Sequence, residues 1–241
     1  MFRVDASVLR ECVDAVLAVV DEARLKISEE GWKVCAVDPA NVALVDLELR
    51  KEAFHEYEEY EKDEEKVVGV PFGKLRDVLR FAAGDVSLSI NEKMVLQSSA
   101  YAYTLTLLDL SSLRAEPKIP ELNFSTKVVV DANDFKKVLK AAEKVSYQVA
   151  IGVQNESFFV EAEGEMETMR YSLHKDELVH LSGSDCRSLF SLEYLTAMAK
   201  GFASDTLTLH ISTDHPLKIE FDIADGNGKV IYMLAPRIEA E

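Results

Sequence analysis

Val4-Asp5-Ala6, followed by apolar Leu9, Cys12, Val13 and Val16, and Val130-Asp131-Ala132, followed by Phe135, Val138, Leu139 and Ala142, are one pattern written twice, 126 positions apart. In both copies the apolar residues recur three and four positions apart, the spacing that lines one face of a helix. At the same offset, Gly31-Trp32-Lys33-Val34 with Ala36 falls on Ser157-Phe158-Phe159-Val160 with Ala162, each read as a strand after a polar turn. Further on, Leu75, Val78, Leu79 and Ala82 mark a second helix, matched 120 positions later by Leu195, Met198, Ala199 and Phe202. Each second helix runs into alternation at period two, Val86, Leu88 and Ile90 in one half and Leu207, Leu209 and Ile211 in the other. That is the mark of a half-buried strand.

Internal repetition outranks local assignment in deciding an architecture. Two helices per half among many short alternating strands predict an α+β chain of two repeated domains, each an antiparallel β-sheet structure with two helices. The domains are expected at 1–116 and 128–241, with 117–127 as connector, because Pro117 and Pro120 disfavour helix and cannot donate to a ladder. Asp225-Gly226-Asn227-Gly228 is a hairpin turn signal. Neither G-x-x-x-x-G-K-S/T nor G-x-G-x-x-G accompanies it, so its glycines are not a phosphate loop.

With 241 residues, 48% of them hydrophobic, the chain can build a sizeable core, and disorder is excluded. Lys and Arg number 27 against 43 Asp and Glu, a net charge of −16 that taken globally predicts solubility and repulsion from nucleic acid and anionic membranes. Eight acids lie between Glu52 and Glu65, so much of the excess sits in one segment, read as a solvated loop. MFRVDASVL lacks the pattern of a secretory signal, and no apolar run approaches the ~18 residues of a membrane span. An intracellular location is therefore expected, cytoplasmic or at the nucleoid, nuclear in a eukaryote. Cys12, Cys35 and Cys186 share no C-x-x-C spacing and are read as buried apolar residues.

No enzyme is expected. The histidines His55, His174, His180, His210 and His215 are scattered without a zinc-site pattern. Ser184 beside Asp185 lacks the G-x-S-x-G frame of a nucleophile. No catalytic residue, cofactor or metal is assigned.

Charge on the helical faces is more informative. If Phe135, Val138, Leu139 and Ala142 face the sheet, Lys136, Lys137, Lys140 and Lys144 occupy the opposite side. Arg76 and Arg80, with Lys74 at the boundary, point outward from the second helix of the first half, and Arg10 and Lys200 from the remaining two helices. Acids collect elsewhere, in the 52–65 segment and on a strand with Glu161, Glu163, Glu165 and Glu167. Basic helices on an acidic body are the footprint of a surface that meets phosphates without reading sequence.

The duplicated halves, Ala36-Val37-Asp38-Pro39-Ala40-Asn41-Val42-Ala43-Leu44-Val45, the Ile119-Pro120-Glu121 connector and the terminal Leu234-Ala235-Pro236-Arg237-Ile238-Glu239 together closely resemble the proliferating cell nuclear antigen family, the sliding clamps of archaea and eukaryotes. The resemblance covers essentially the whole chain and leans toward the archaeal members. It implies a DNA polymerase processivity factor, a head-to-tail homotrimer that encircles double-stranded DNA, with subunits of a heterotrimeric or checkpoint-type clamp and a monomeric processivity factor as alternatives. It also implies a subunit contact through Thr104, Leu105, Leu107 and Asp109 of one chain and Met169, Tyr171 and Leu173 of the next. Partners implied are DNA polymerase, the clamp loader, flap endonuclease and DNA ligase. They would bring short peptides to an apolar pocket of Val37, Val42, Leu44, Ile119, Pro216, Met233, Ala235 and Pro236, with Leu122 and Phe124 as alternative pins of the connector. Asp77 and Leu17 stand where eukaryotic members carry lysine, which thins the basic face of the first half.

Overall fold

The computed structural model describes residues 1–58, 60, 61 and 64–237. Glu59, Lys62 and Asp63 of the acidic run, and Ile238 and Glu239 of the terminal motif, lie outside the described residues. The chain divides into two compact units: Met1–Asp38, Val45–Lys118 and Asp222–Val230 form the first, and Pro39–Leu44, Ile119–Phe221 and the chain from Ile231 form the second.

In the first unit the order is β1 (Phe2–Asp5), α1 (Ala6–Leu17), β2 (Glu22–Ser28), β3 (Gly31–Val37), β4 (Ala43–Arg50), β5 (Glu65–Pro71), α2 (Phe72–Leu79), β6 (Asp85–Ile90), β7 (Lys93–Ser98) and β8 (Tyr101–Thr106). Strands β1-β6-β7-β8 make a four-stranded sheet, and β4-β3-β2-β5 follow one another in a second run. In the second unit β9 (Thr126–Asp131), α3 (Ala132–Ala142), β10 (Gln148–Gln154), β11 (Ser157–Glu163), β12 (Thr168–His174), β13 (His180–Gly183), β14 (Cys186–Ser191), α4 (Leu192–Ala199), β15 (Thr206–Ile211) and β16 (Leu217–Ile223) repeat the plan before β17 (Gly228–Leu234). The predicted α+β class, antiparallel with two helices per repeat, holds.

The repeat extends to register. Val4 faces Val86 across β1 and β6, and Val130 faces Leu207 across β9 and β15. Ile27 opposes Trp32 on β2 and β3, as Val153 opposes Phe158 on β10 and β11. The Val-Asp-Ala signature recurs because each of its residues has one task. Val4 and Val130 are buried, and so are Ala6 and Ala132 at the helix starts. Asp5 Oδ1 accepts from Ser7 N at 2.7 Å, and Asp131 Oδ1 from Asp134 N at 2.8 Å, each satisfying an otherwise orphaned helix-end donor. Such a cap is worth about 1 kcal/mol. The hydrogen bond to Ser7 holds the Asp5 carboxyl below its ordinary pKa.

Leu9, Cys12, Val13 and Val16 of α1 and Leu75 and Leu79 of α2 fill the first core, and Phe135, Val138, Leu139, Leu195 and Met198 the second. Phe202, Phe221 and Tyr232 add an aromatic cluster to the second core, with Phe202 and Phe221 edge to face at 5.4 Å. All three cysteines are buried.

Two expectations change. The acidic run is tied down rather than simply solvated: Phe54 is buried and packs at 4.9 Å on Trp32, Tyr57 at 5.0 Å on Phe2, and the Tyr57 hydroxyl donates to Ser28 O at 2.8 Å. Alternating acids with aromatics let the apolar rings anchor a segment whose carboxylates stay wet, and Glu56 pairs with Arg3 at 3.0 Å. Glu165 and Glu167 also do not continue a strand. β11 ends at Glu163, and Gly164 N donates to Glu167 O at 2.9 Å to close a turn.

Candidate nucleic-acid and partner interfaces

The helix cations separate into two kinds. Lys74, Arg76, Arg80, Lys137, Lys140, Lys144 and Lys200 are exposed. Lys137 Nζ lies 2.8 Å from Asp134, whose hydrogen bond raises the lysine pKa. Arg80 lies 3.9 Å from Asp77, a contact that dilutes the positive face of α2. Arg10 and Lys136, predicted to share the outward face, are half-buried. Arg10 donates to Leu79 O and Ala82 O, and Lys136 to Phe202 O at 2.8 Å. In the first unit α1 offers Asp14 where α3 has Lys140. Burial raises the pKa of Asp14 against the opposing pull of Arg76 and Arg10.

The residues of the predicted pocket belong mainly to the second unit. Ala235 N donates to Val42 O at 2.9 Å, which joins the segment after β17 to the turn before β4. Leu44 and Met233 are buried, Val42, Pro216, Ala235 and Pro236 half-buried, and Ile119 is 38% exposed. Val37, half-buried at the end of β3, belongs to the first unit. Phe124 packs between the rings of His210 and His215, at 5.6 and 5.5 Å. This is one of the two pins the sequence suggested.

Arg24 was not singled out from sequence. Its guanidinium donates to Leu110 O at 2.7 Å, Leu113 O at 3.3 Å and Arg114 O at 2.9 Å, gathering the chain that leads into the connector. Beside it Lys26 Nζ meets Glu116 at 2.5 Å, and that hydrogen bond raises the lysine pKa. Alternation along β2 marks both cations only as outward-facing, since their acceptors lie some 90 residues away.

The two stretches expected to meet other chains fall on edge strands, the first running past the end of β8 at Leu107 and Asp109. β8 is last in β1-β6-β7-β8, and β12 is last in β12-β11-β10-β14. Thr104 is exposed and Leu105 and Leu107 half-buried, while Asp109 accepts from Ser111 N at 2.8 Å, a bond that lowers the pKa of its carboxyl. On β12, Met169, Tyr171 and Leu173 alternate with exposed residues. Tyr171 and Leu173 line a cavity of about 90 Å³ with Asp134, Phe135, Glu177, Leu178 and Val179. Burial first, then the nearby Asp134 carboxylate, raises the Tyr171 pKa. Open edges with apolar side chains are what natural proteins cover by pairing.

Among the described residues no helix is long and apolar enough to cross a membrane. The family model described as "Proliferating cell nuclear antigen, N-terminal domain" matches residues 2–112, and that of the C-terminal domain matches residues 118–237. The chain is 41% identical over 249 residues to the DNA polymerase sliding clamp of Methanococcoides burtonii, covering 100% of both chains. It is 38% identical over 238 residues to that of Archaeoglobus fulgidus, covering 97% of this chain and 96% of the other. Among solved structures, A. fulgidus PCNA bound to the C-terminal region of FEN-1 is similar, with a TM-score of 0.92 at 36% identity over 100% of this chain and 99% of that one.

Proposed function

The chain belongs to the proliferating cell nuclear antigen family, and we propose that it serves as a DNA polymerase sliding clamp: three copies close head to tail into a ring around duplex DNA. The family is one of non-catalytic processivity factors, so the chemistry is that of holding, not of bond breaking. Residues 1–116 and 128–241 are taken as the two clamp domains and 117–127 as the connector between them. The observation that carries the reading is the pair of open edges, β8 in one repeat and β12 in the other. Joined edge to edge they give a heterologous contact, the type that generates a ring when the rotation per copy closes.

In that ring Lys74, Arg76, Arg80, Lys137, Lys140, Lys144 and Lys200 face the phosphates. Exposed cations on flexible stems hold a duplex by charge without fixing a register, which suits a protein that must move along DNA. Ile119, Val42, Leu44, Pro216, Met233, Ala235 and Pro236 form the floor and wall that receive partner peptides. The relative holding the C-terminal region of FEN-1 supports this, and polymerase, clamp loader, flap endonuclease and ligase are the partners proposed.

Encirclement makes retention topological. The loaded clamp is expected to run off linear duplex with free ends and to remain on duplex whose ends are blocked by bound protein. Equal retention on the two would overturn the ring.

A further inference from the structure

Arg10 on α1 and Lys136 on α3 are the same position of the two repeats, 126 residues apart. Each reaches from the first helix of its unit to the carbonyl end of the second: Arg10 Nε to Leu79 O at 3.2 Å and its Nη2 to Ala82 O, Lys136 Nζ to Phe202 O at 2.8 Å. Lys136 also lies over the Phe202 ring, 5.8 Å from its centroid. The receiving helices close on short backbone bonds: Phe81 N donates to Val78 O and Ala82 N to Leu79 O in α2, Lys200 N to Ala197 O and Gly201 N to Met198 O in α4. α2 and α4 are eight residues each and end at Arg80 and Lys200, both in the right-handed helical region. Neither has a left-handed glycine at once after it, the usual device for satisfying the last carbonyls. A cation at this negative end of the helix dipole adds a second donor at Leu79 O, holds the Ala82 and Phe202 carbonyls just past the last turn, and is itself stabilised. Burial, and then neighbouring Lys140, lower the Lys136 pKa, in line with a charge withdrawn from solvent.

We infer that Arg10 and Lys136 are positioning residues that brace the helix pair of each unit, and that they do not belong to the phosphate-facing set. The second half of this statement rests on the sliding-clamp reading; the brace does not. Two repeats that differ at most outward positions both carry a basic donor at this one, reaching the equivalent carbonyls of Ala82 and Phe202, and a charge engaged by carbonyls gains little by turning to a mobile duplex.

The test compares Lys136→Met, Lys136→Arg and Lys140→Met in the full chain. Methionine keeps the apolar stem against Phe202 and removes only the donor. Binding of a short fluorescent duplex is measured against salt, and amide exchange is followed at Lys200 and Gly201, which donate to Ala197 O and Met198 O. Lys140→Met is expected to flatten the salt dependence, by about 0.9 in the log–log slope for each phosphate no longer neutralised. Lys136→Met should leave the slope unchanged and speed exchange at Lys200 and Gly201 about tenfold, the scale of one charged hydrogen bond, with Lys136→Arg restoring it. A slope lowered by Lys136→Met as much as by Lys140→Met, with exchange unaltered, overturns the inference. An unchanged slope in Lys140→Met, with exchange accelerated in Lys136→Met, would sink the phosphate reading and leave the brace standing. If Lys136→Met does not fold, a folded Lys136→Arg with wild-type slope and exchange supports the brace, and one with a reduced slope overturns it.

Discussion

Asp46, on β4, is 6% exposed, and one of its carboxylate oxygens has no hydrogen bond. Burial raises its pKa more than Lys33 Nζ, 3.6 Å away, lowers it, and Glu48 and Glu116 add to the rise. A carboxyl whose folded pKa is raised binds its proton more tightly when folded. Its stabilisation is therefore present below the ordinary value of 3.8 and lost as pH rises through the raised one. Asp46→Asn removes the charge and is expected to raise Tm by a few degrees near about pH 7, with the gain shrinking toward about pH 4. Melting curves across that range check it, and a lower Tm at neutral pH would show the Lys33 pair outweighing burial. Legibility at this scale follows distance along the chain. Asp5 and Asp131 were readable as the starts of helices because the donors they cap lie two and three residues on. Arg10 and Lys136 looked like surface cations because their acceptors lie 69 and 66 residues away, where periodicity carries no information.

Strands and connectors depend on what lies on their open side. β8 and β12 each have one neighbour within the four-stranded sheets, which leaves backbone donors and acceptors open along one side, and half-buried Leu105, Tyr171 and Leu173 lie on these strands. A lysine at 105 brings a charge into an apolar contact, which costs several kcal/mol per ion if buried, and one at 173, beside Asp134 and Glu177, removes apolar surface from the contact. Leu105→Lys and Leu173→Lys are each expected to turn a species of three times 26.9 kDa into one of 26.9 kDa at micromolar concentration, with the far-ultraviolet circular dichroism unchanged. Light scattering on a size-exclusion column decides, and a persistent trimer in both variants would remove these strands from the contact. The helices and the alternating strands were legible because apolar spacing survives in both repeats. The anchoring of the acidic segment was not, since nothing near Phe54 and Tyr57 in the chain shows that Phe2 and Trp32 lie beneath them.

At the scale of the molecule, a net charge of −16 and the proposed encirclement of DNA are compatible because charge is distributed unevenly. The acids of 52–65 stay at one segment of the first unit, whereas α3 of the second unit carries Lys137, Lys140 and Lys144 exposed. The two repeats therefore differ in charge: α1 has Asp14 in the place of Lys140, and the second unit carries the denser basic face. The aromatic cluster around Trp32 has one more consequence. It is the chain's single tryptophan, 7% exposed, packed edge to face on Phe2 at 5.3 Å, and it lies wholly within the first unit. Emission excited selectively from this tryptophan is thus a built-in reporter of one repeat, blind to the other. Followed alongside circular dichroism in a denaturant series, it reveals whether the twin units melt together or in turn.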